Sequence, residues 1–160
     1  MIQIRKDSAH ALRALGVLAT TILLCGCIRD VTSSDPVCTN STARVGFVTA
    51  GETYKDTAVV LPGETFTKTW TLSNQSTDCV WDESIALVYA SSLGARLSSA
   101  TSRVAVEGVV KPSGKYSFSV EMKAPLAPGV YREDWRLVDQ SNTLIPVGIS
   151  PTIWVIIRVR

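Results

Sequence analysis

Tyr116-Ser117-Phe118-Ser119-Val120-Glu121-Met122-Lys123 alternates without a break, apolar at every even position and polar at every odd one. A period of two is the signature of a half-buried β-strand, because successive side chains leave a pleated strand on opposite faces. Tyr116, Phe118, Val120 and Met122 are expected to face a core, and the serines, Glu121 and Lys123 to face out. The same period returns on both sides of this run. Residues 66–72 (FTKTWTL) place Phe66, Trp70 and Leu72 on one face and the threonines on the other, and residues 131–138 (YREDWRLV) set Tyr131, Trp135 and Leu137 together. Residues 153–159 (IWVIIRV) are almost continuously apolar, as a central strand covered on both faces would be. Weaker strands are expected at 44–49, 85–89 and 103–109. Leu61-Pro62-Gly63, Ser73-Asn74-Gln75, Lys111-Pro112-Ser113-Gly114 and Ala127-Pro128-Gly129 punctuate these runs as turns. Short strands separated by turns, with no helix signal, predict an all-β fold: an immunoglobulin-like antiparallel β-sandwich of seven or eight strands.

The N-terminus obeys different rules. Met1 to Arg13 is a short segment of net positive charge, and residues 14–24 (ALGVLATTILL) are an uncharged apolar run. A membrane-spanning helix needs about 20 apolar residues to cross a hydrocarbon core of about 30 Å. This run fits the apolar centre of a signal peptide instead. It ends in Leu24-Cys25-Gly26-Cys27, which resembles the bacterial lipobox. That resemblance implies transfer of a diacylglyceryl group to the Cys27 thiol, cleavage after Gly26, and acylation of the new amino group. Two or three acyl chains make a durable anchor where one is marginal. Ile28 follows the lipidated position, and the sorting tendency of such proteins then favours the outer membrane in a two-membrane cell, or otherwise the outer face of the plasma membrane. Polar residues 28–37, with Pro36, read as a short tether. The expected organisation is a signal peptide (1–26), a lipidated tether (27–37) and one sandwich domain (38–160).

Removing the signal segment changes the chemistry. The whole chain carries 16 basic and 14 acidic side chains, but Arg5, Lys6 and Arg13 against Asp7 account for the imbalance. The mature part is formally neutral and has no long basic run, which argues against nucleic acid as a partner and against a polybasic membrane-binding segment. The one histidine, His10, leaves with the signal peptide. No Ser-His-Asp triad, Cys-His pair or histidine-containing zinc site is then possible. The adjacent acids Asp82-Glu83 and Glu133-Asp134 point to opposite faces if they lie on strands, so neither pair converges as acid and base. Both are expected at solvated strand ends or loops. The remaining acids lack the Asp-x-Asp-x-Asp-Gly spacing of a calcium loop, and no glycine-rich phosphate loop is present. Asn40 and Asn74 begin glycosylation sequons, although a lipobox points to a bacterium, where that machinery is rare.

Trp70, Trp81, Trp135 and Trp154 are the chain's four tryptophans, each in or beside an expected strand. The words around them are specific: FTKTWTLSN at 66–74, TDCVW at 77–81, APLAPGVYREDWRL at 124–137 and IWVIIRV at 153–159. From about Cys38 to the C-terminus this order of words resembles the four-tryptophan (FW) domain, an Ig-like module found in the central region of selective-autophagy receptors and widely in bacteria. The resemblance implies a β-sandwich that recognises proteins and catalyses nothing, with these four tryptophans as its defining positions. Two features depart from the family pattern: Asp82-Glu83 follows the second tryptophan, and residues 91–102 are serine-rich where many relatives have a glycine-rich turn. Tryptophans commonly fill sandwich cores, and Trp70, Trp135 and Trp154 are expected there. Trp81, close to Cys79 and a loop, is the candidate partner-binding residue, with burial as the alternative.

Cys38 and Cys79 remain after processing. Two cysteines in an oxidising compartment most simply form one disulfide, with two free thiols as the alternative. The family resemblance also implies this pairing, since bacterial relatives often join a cysteine ahead of the first strand to the one in the Cys-x-Trp word. Closing a loop of about 40 residues is worth roughly 3 to 4 kcal/mol in the chain-entropy model. No metal site, cofactor or small-molecule substrate is evident beyond the covalent lipid expected on Cys27. The expected function is a membrane-anchored binding module for protein, peptide or glycan partners of the envelope. The alternatives are a passive structural envelope component and an accessory subunit of an envelope enzyme.

Overall fold

The computed structural model describes residues 34–98 and 100–160. The expected signal segment, Cys27 and most of the expected tether lie outside the described residues. Nine strands are present among those described: β1 (Val45–Val48), β2 (Ala58–Val60), β3 (Thr65–Asn74), β4 (Ala86–Leu93), β5 (Arg103–Ala105), β6 (Lys115–Lys123), β7 (Gly129–Val138), β8 (Leu144–Ile145) and β9 (Ile153–Val159). A single 3₁₀ turn, Thr49–Gly51, follows β1. Every strand expected from alternation is found. β2 and β8 are additional, at three and two residues too short to express a period.

The strands form two sheets, and the chain belongs to the Ig-like β-sandwich class that the alternation predicts. One sheet has the order β1-β3-β6; the other has β2-β9-β7-β4-β5, with β8 paired to β7. All pairings are antiparallel except β2 with β9, which is parallel and joins only Ala58–Val60 to residues 157–159. β3 and β6 are in register over nine pairs, from Thr65 opposite Lys123 to Ser73 opposite Lys115. Their outward hydroxyls pair across the strands, Thr69 with Ser119 at 2.9 Å and Thr71 with Ser117 at 2.8 Å, which ties the polar face together. A β-bulge at Tyr89–Ser91 shifts β4 against β7.

The core is the space between the sheets. Phe66, Trp70 and Leu72 from β3 and Phe118, Val120 and Met122 from β6 meet Trp135, Leu137, Val155 and Ile157 from the other sheet. Trp70 and Trp135 pack with ring centroids 6.1 Å apart, and Tyr89 stands edge-on to Trp135. The Trp70 indole N–H donates to the Trp154 carbonyl at 2.9 Å, a hydrogen bond that crosses from one sheet to the other. Cys38 and Cys79 form a disulfide, 41 residues apart in sequence, and both are buried. Beside it, Cys38 N–H donates to the Val80 carbonyl and Val80 N–H to the Pro36 carbonyl, so the start of the domain is fixed to the segment that enters β4. Asn74 is fully buried, its amide donating to the carbonyls of Cys79 and Val110, and cannot serve as a glycan acceptor in the folded chain.

Glu133 departs from the sequence expectation. It shares its face of β7 with Tyr131, Trp135 and Leu137, so the strand period carries it into the core, where it is fully buried. Oε2 accepts from the backbone N–H groups of Leu97 and Ser98 at 2.6 and 3.1 Å, and Oε1 accepts from the Trp135 indole at 2.9 Å. The carboxyl thereby pins the serine-rich segment after β4 and orients a core tryptophan. Asp134 faces the other way, as the alternation requires, and binds Arg132. Asp82, by contrast, sits in a loop and accepts from the Ser84 N–H and hydroxyl, closing a tight turn before β4.

Glu133→Leu is expected to lower stability by about 3 kcal/mol or more, since it leaves three buried N–H donors unpaired at about 1–3 kcal/mol each. Urea unfolding followed by tryptophan fluorescence measures this. Glu133→Gln, which keeps one acceptor oxygen, should lose markedly less.

Candidate functional site

The structure exchanges the roles expected of two tryptophans. Trp81 is fully buried, and its backbone pairs with Val110 in both directions. Its indole N–H has no hydrogen-bond partner among the described residues. A ring enclosed in this way cannot anchor a partner, and Trp81 is a packing residue. Trp154, expected in the core, is instead half-buried. The reason is topological. β2 runs beside β9 only at residues 157–159, so the first half of β9 has no strand on that side, and Trp154 lies on the outward parity there.

A cleft of about 310 Å³ opens at this uncovered edge, where β1 of one sheet approaches β9 of the other. Phe47 and Trp154 supply aromatic walls, Val147 and Ile153 apolar surface, Ser150 and Thr152 hydroxyls, and Glu52 and Asp56 carboxylates. The Gly148 N–H bonds the Val45 carbonyl and joins the loop before β9 to β1. Trp154 is held from two directions: its indole N–H donates to Asp56 Oδ2 at 3.0 Å, and the Arg132 guanidinium lies 4.9 Å from its ring centroid. Arg132 is itself oriented by a two-pronged bond to Asp134, with Nη2 to Oδ1 at 2.7 Å and Nε to Oδ1 at 3.1 Å. That hydrogen bond raises the Arg132 pKa above its already high ordinary value.

Beneath the cleft lies a buried lysine. Lys68 falls between Phe66 and Trp70 on the core face of β3 and is fully enclosed. Its ammonium donates to Glu52 Oε1 at 2.6 Å and to the carbonyls of Thr53 and Tyr54 at 2.7 and 2.9 Å, 5.5 Å from the Trp70 ring centroid. Burial pushes the Lys68 pKa below its ordinary value, with the Glu52 hydrogen bond and the negative charges of Glu52 and Asp56 acting in the opposite sense. The three acceptors match the three N–H bonds of an ammonium, and they fix the 52–54 segment that leads to Asp56. Glu52 is thus committed to Lys68. Asp56, exposed, is the carboxylate placed to meet a ligand.

Of the residues singled out from sequence, the structure joins Cys38 to Cys79, buries Trp70, Trp81 and Trp135, and places Trp154 alone at a surface. Phe47, Glu52, Asp56 and Lys68 are the residues that sequence reading missed. One signal was available: a lysine at a core position of an alternating strand demands an acid or carbonyls to receive it. Protein-family comparison matches residues 53–159 to the Ig-like domain from next to BRCA1 gene. The chain belongs to that family. All four tryptophans fall within the matched Ig-like domain. Protein ILRUN of Danio rerio is 31% identical over 101 residues, covering 63% of this chain and 32% of ILRUN, so the chain spans about a third of that relative's length. Among solved structures, the chain is similar to a β-glucosidase from Listeria innocua in complex with glucose (13% identity, 73% of this chain, 16% of the other, TM-score 0.40). It is also similar to WR4, a C. elegans MSP family member (14% identity, 74% and 95% coverage, TM-score 0.31).

With Trp70, Trp81 and Trp135 all at 0% exposure, the Ig-like domain has one accessible tryptophan. Acrylamide is expected to quench a single fraction of the tryptophan emission, and Trp154→Phe to abolish that fraction while leaving the unfolding midpoint within a few degrees. Retention of the quenchable fraction in this variant would contradict the placement of Trp154.

Proposed function

We propose that the chain is an exported bacterial lipoprotein, anchored by lipid on Cys27, whose Ig-like domain binds a protein partner without catalysis. The observation that carries the recognition part is the cleft between Phe47 and Trp154. Two aromatic rings with Asp56 at their edge suit an extended segment that inserts an apolar side chain and offers a basic or amide donor to the carboxylate. Preorganisation favours such a site: Trp154 is held by Asp56 and Arg132, so little side-chain freedom is lost on binding. The anchor rests on Leu24-Cys25-Gly26-Cys27 after an apolar run too short to span a bilayer. The disulfide supports an oxidising compartment, where such bonds persist. The four-tryptophan identity supports recognition as the mode of action.

Two measurements test the two halves. Expressed in a bacterium, the chain should incorporate labelled palmitate, and Cys27→Ser should abolish labelling. Affinity capture from crosslinked membranes should enrich a protein partner that is lost, by tenfold or more, on Trp154→Ala or Asp56→Ala, and kept on Val109→Ser, an exposed position away from the cleft. Equal capture by all variants would remove the cleft from the reading.

A further inference from the structure

The mature chain is neutral in composition, yet its charges are not evenly spread. On β9 the residues Val155, Ile157 and Val159 are in the core, so Trp154, Ile156 and Arg158 lie on the outer face of the larger sheet. The same parity places Val130, Arg132, Asp134 and Arg136 outward on β7 and Arg103 outward on β5. Strand register then sets them in rows. Arg158 lies between Val59 and Val130; Arg132 lies between Ile156 and Leu93; Arg136 is opposite Val88, which is in turn opposite Arg103. Four arginines therefore share one sheet face with one strand acid, Asp134, which Arg132 binds, while the loop acid Asp56 reaches the same face at the Trp154 indole. Arg103, Arg136 and Arg158 are exposed, and none makes an ion pair among the described residues. Between them Val59, Val130 and Leu93 are 57, 52 and 68% exposed, so the face is open there, whereas Ala86, Val88 and Val138 at its other end are buried in a small apolar cluster of their own.

We propose that this outer face of the β2-β9-β7-β4-β5 sheet docks on a bilayer surface rich in anionic phospholipid. Guanidinium groups bind phosphate through paired N–H donors and keep their charge at any working pH. Aliphatic side chains standing among them enter the interfacial layer that the headgroups border, as on other surfaces that lie in a membrane plane. Charge excludes the second copy of this chain as the occupant, because face-to-face contact would oppose arginine to arginine. Away from the Trp154 cleft, the exposed rows of arginine and aliphatic side chains favour a flat occupant over a peptide. The inference rests on the reading of the chain as membrane-tethered: with lipid on Cys27, about ten residues before Val37 joins the fold, the start of the domain would stay within about 35 Å of the bilayer. At that distance a weak surface contact is an intramolecular one and needs little affinity of its own.

The test uses the mature chain from Cys27 with Cys27→Ser, so that no lipid contributes; all nine strands, the core and the disulfide lie within it. It is sedimented with vesicles of phosphatidylcholine alone and of phosphatidylcholine mixed with phosphatidylglycerol. Binding is expected to the anionic vesicles only, to weaken with salt, and to fall about fivefold for each of Arg103→Ala, Arg136→Ala and Arg158→Ala. Leu93→Ser should also weaken it, and Lys115→Ala, on the other sheet, should not. No binding to anionic vesicles, equal binding to neutral ones, or binding to soluble polyglutamate but not to vesicles would overturn the proposal, the last in favour of an acidic protein. Palmitate labelling of Cys27 is read separately, so loss of docking leaves the anchor standing, and an unlabelled Cys27 leaves the docking result standing.

Discussion

The cleft depends on the ammonium group of Lys68. β3 cannot turn that side chain to solvent without a one-residue slip, and such a slip would expose Phe66, Trp70 and Leu72 together. The lysine therefore stays inside, and its charge has to be met there. Glu52 and the carbonyls of Thr53 and Tyr54 meet it, which draws the chain after β1 across the edge of the sandwich and delivers Asp56 to the Trp154 indole. A buried ion pair adds little net stability once desolvation is counted. As a constraint on position it is strong, because either partner left alone inside would be costly. Lys68 thus serves less to hold the two sheets together than to decide where one loop lies.

Glu133 does the same for the opposite sheet. Its carboxyl receives Leu97, Ser98 and the Trp135 indole, and so fixes the serine-rich segment that departs from the four-tryptophan pattern. The parity that buries it was present in the sequence, since Tyr131, Glu133, Trp135 and Leu137 are spaced by two. Reading Glu133 and Asp134 as a solvated pair gave weight to their adjacency over that parity. In a strand, adjacent residues are the ones that part company.

Alternation was legible wherever a strand was long enough to express it, and β3, β6 and β7 follow from it directly. β9 was read from its continuous apolar run as covered on both faces, but only its Ile153, Val155, Ile157 and Val159 face is buried. The Cys38–Cys79 disulfide was legible as the pairing of the two cysteines expected to remain after processing. Burial of individual tryptophans was not, because it is decided by what covers a strand rather than by the strand itself. β2 begins only at Ala58, opposite Ile157, and leaves Trp154 open; Trp81 pairs with Val110 and is fully buried. Nor could formal neutrality reveal that arginines gather on one face, since composition counts charges and register places them. That placement needs the pairing of β2, β9, β7, β4 and β5, which no local pattern specifies.

The cleft and the arginine face meet at Trp154, and the geometry keeps them from competing. Arg132 is the residue between them, and it is already committed: its guanidinium holds both oxygens of Asp134 and stacks on the Trp154 ring. Drawing it to a phosphate would forfeit a charge-assisted pair and a cation–π contact at once, each worth about 1 kcal/mol at a part-exposed site. Arg103, Arg136 and Arg158 carry no such commitment. An anionic surface is therefore met by those three, while Arg132 continues to brace the indole that walls the cleft. The sheet face can lie against one partner while the seam between the sheets stays open at its edge for another.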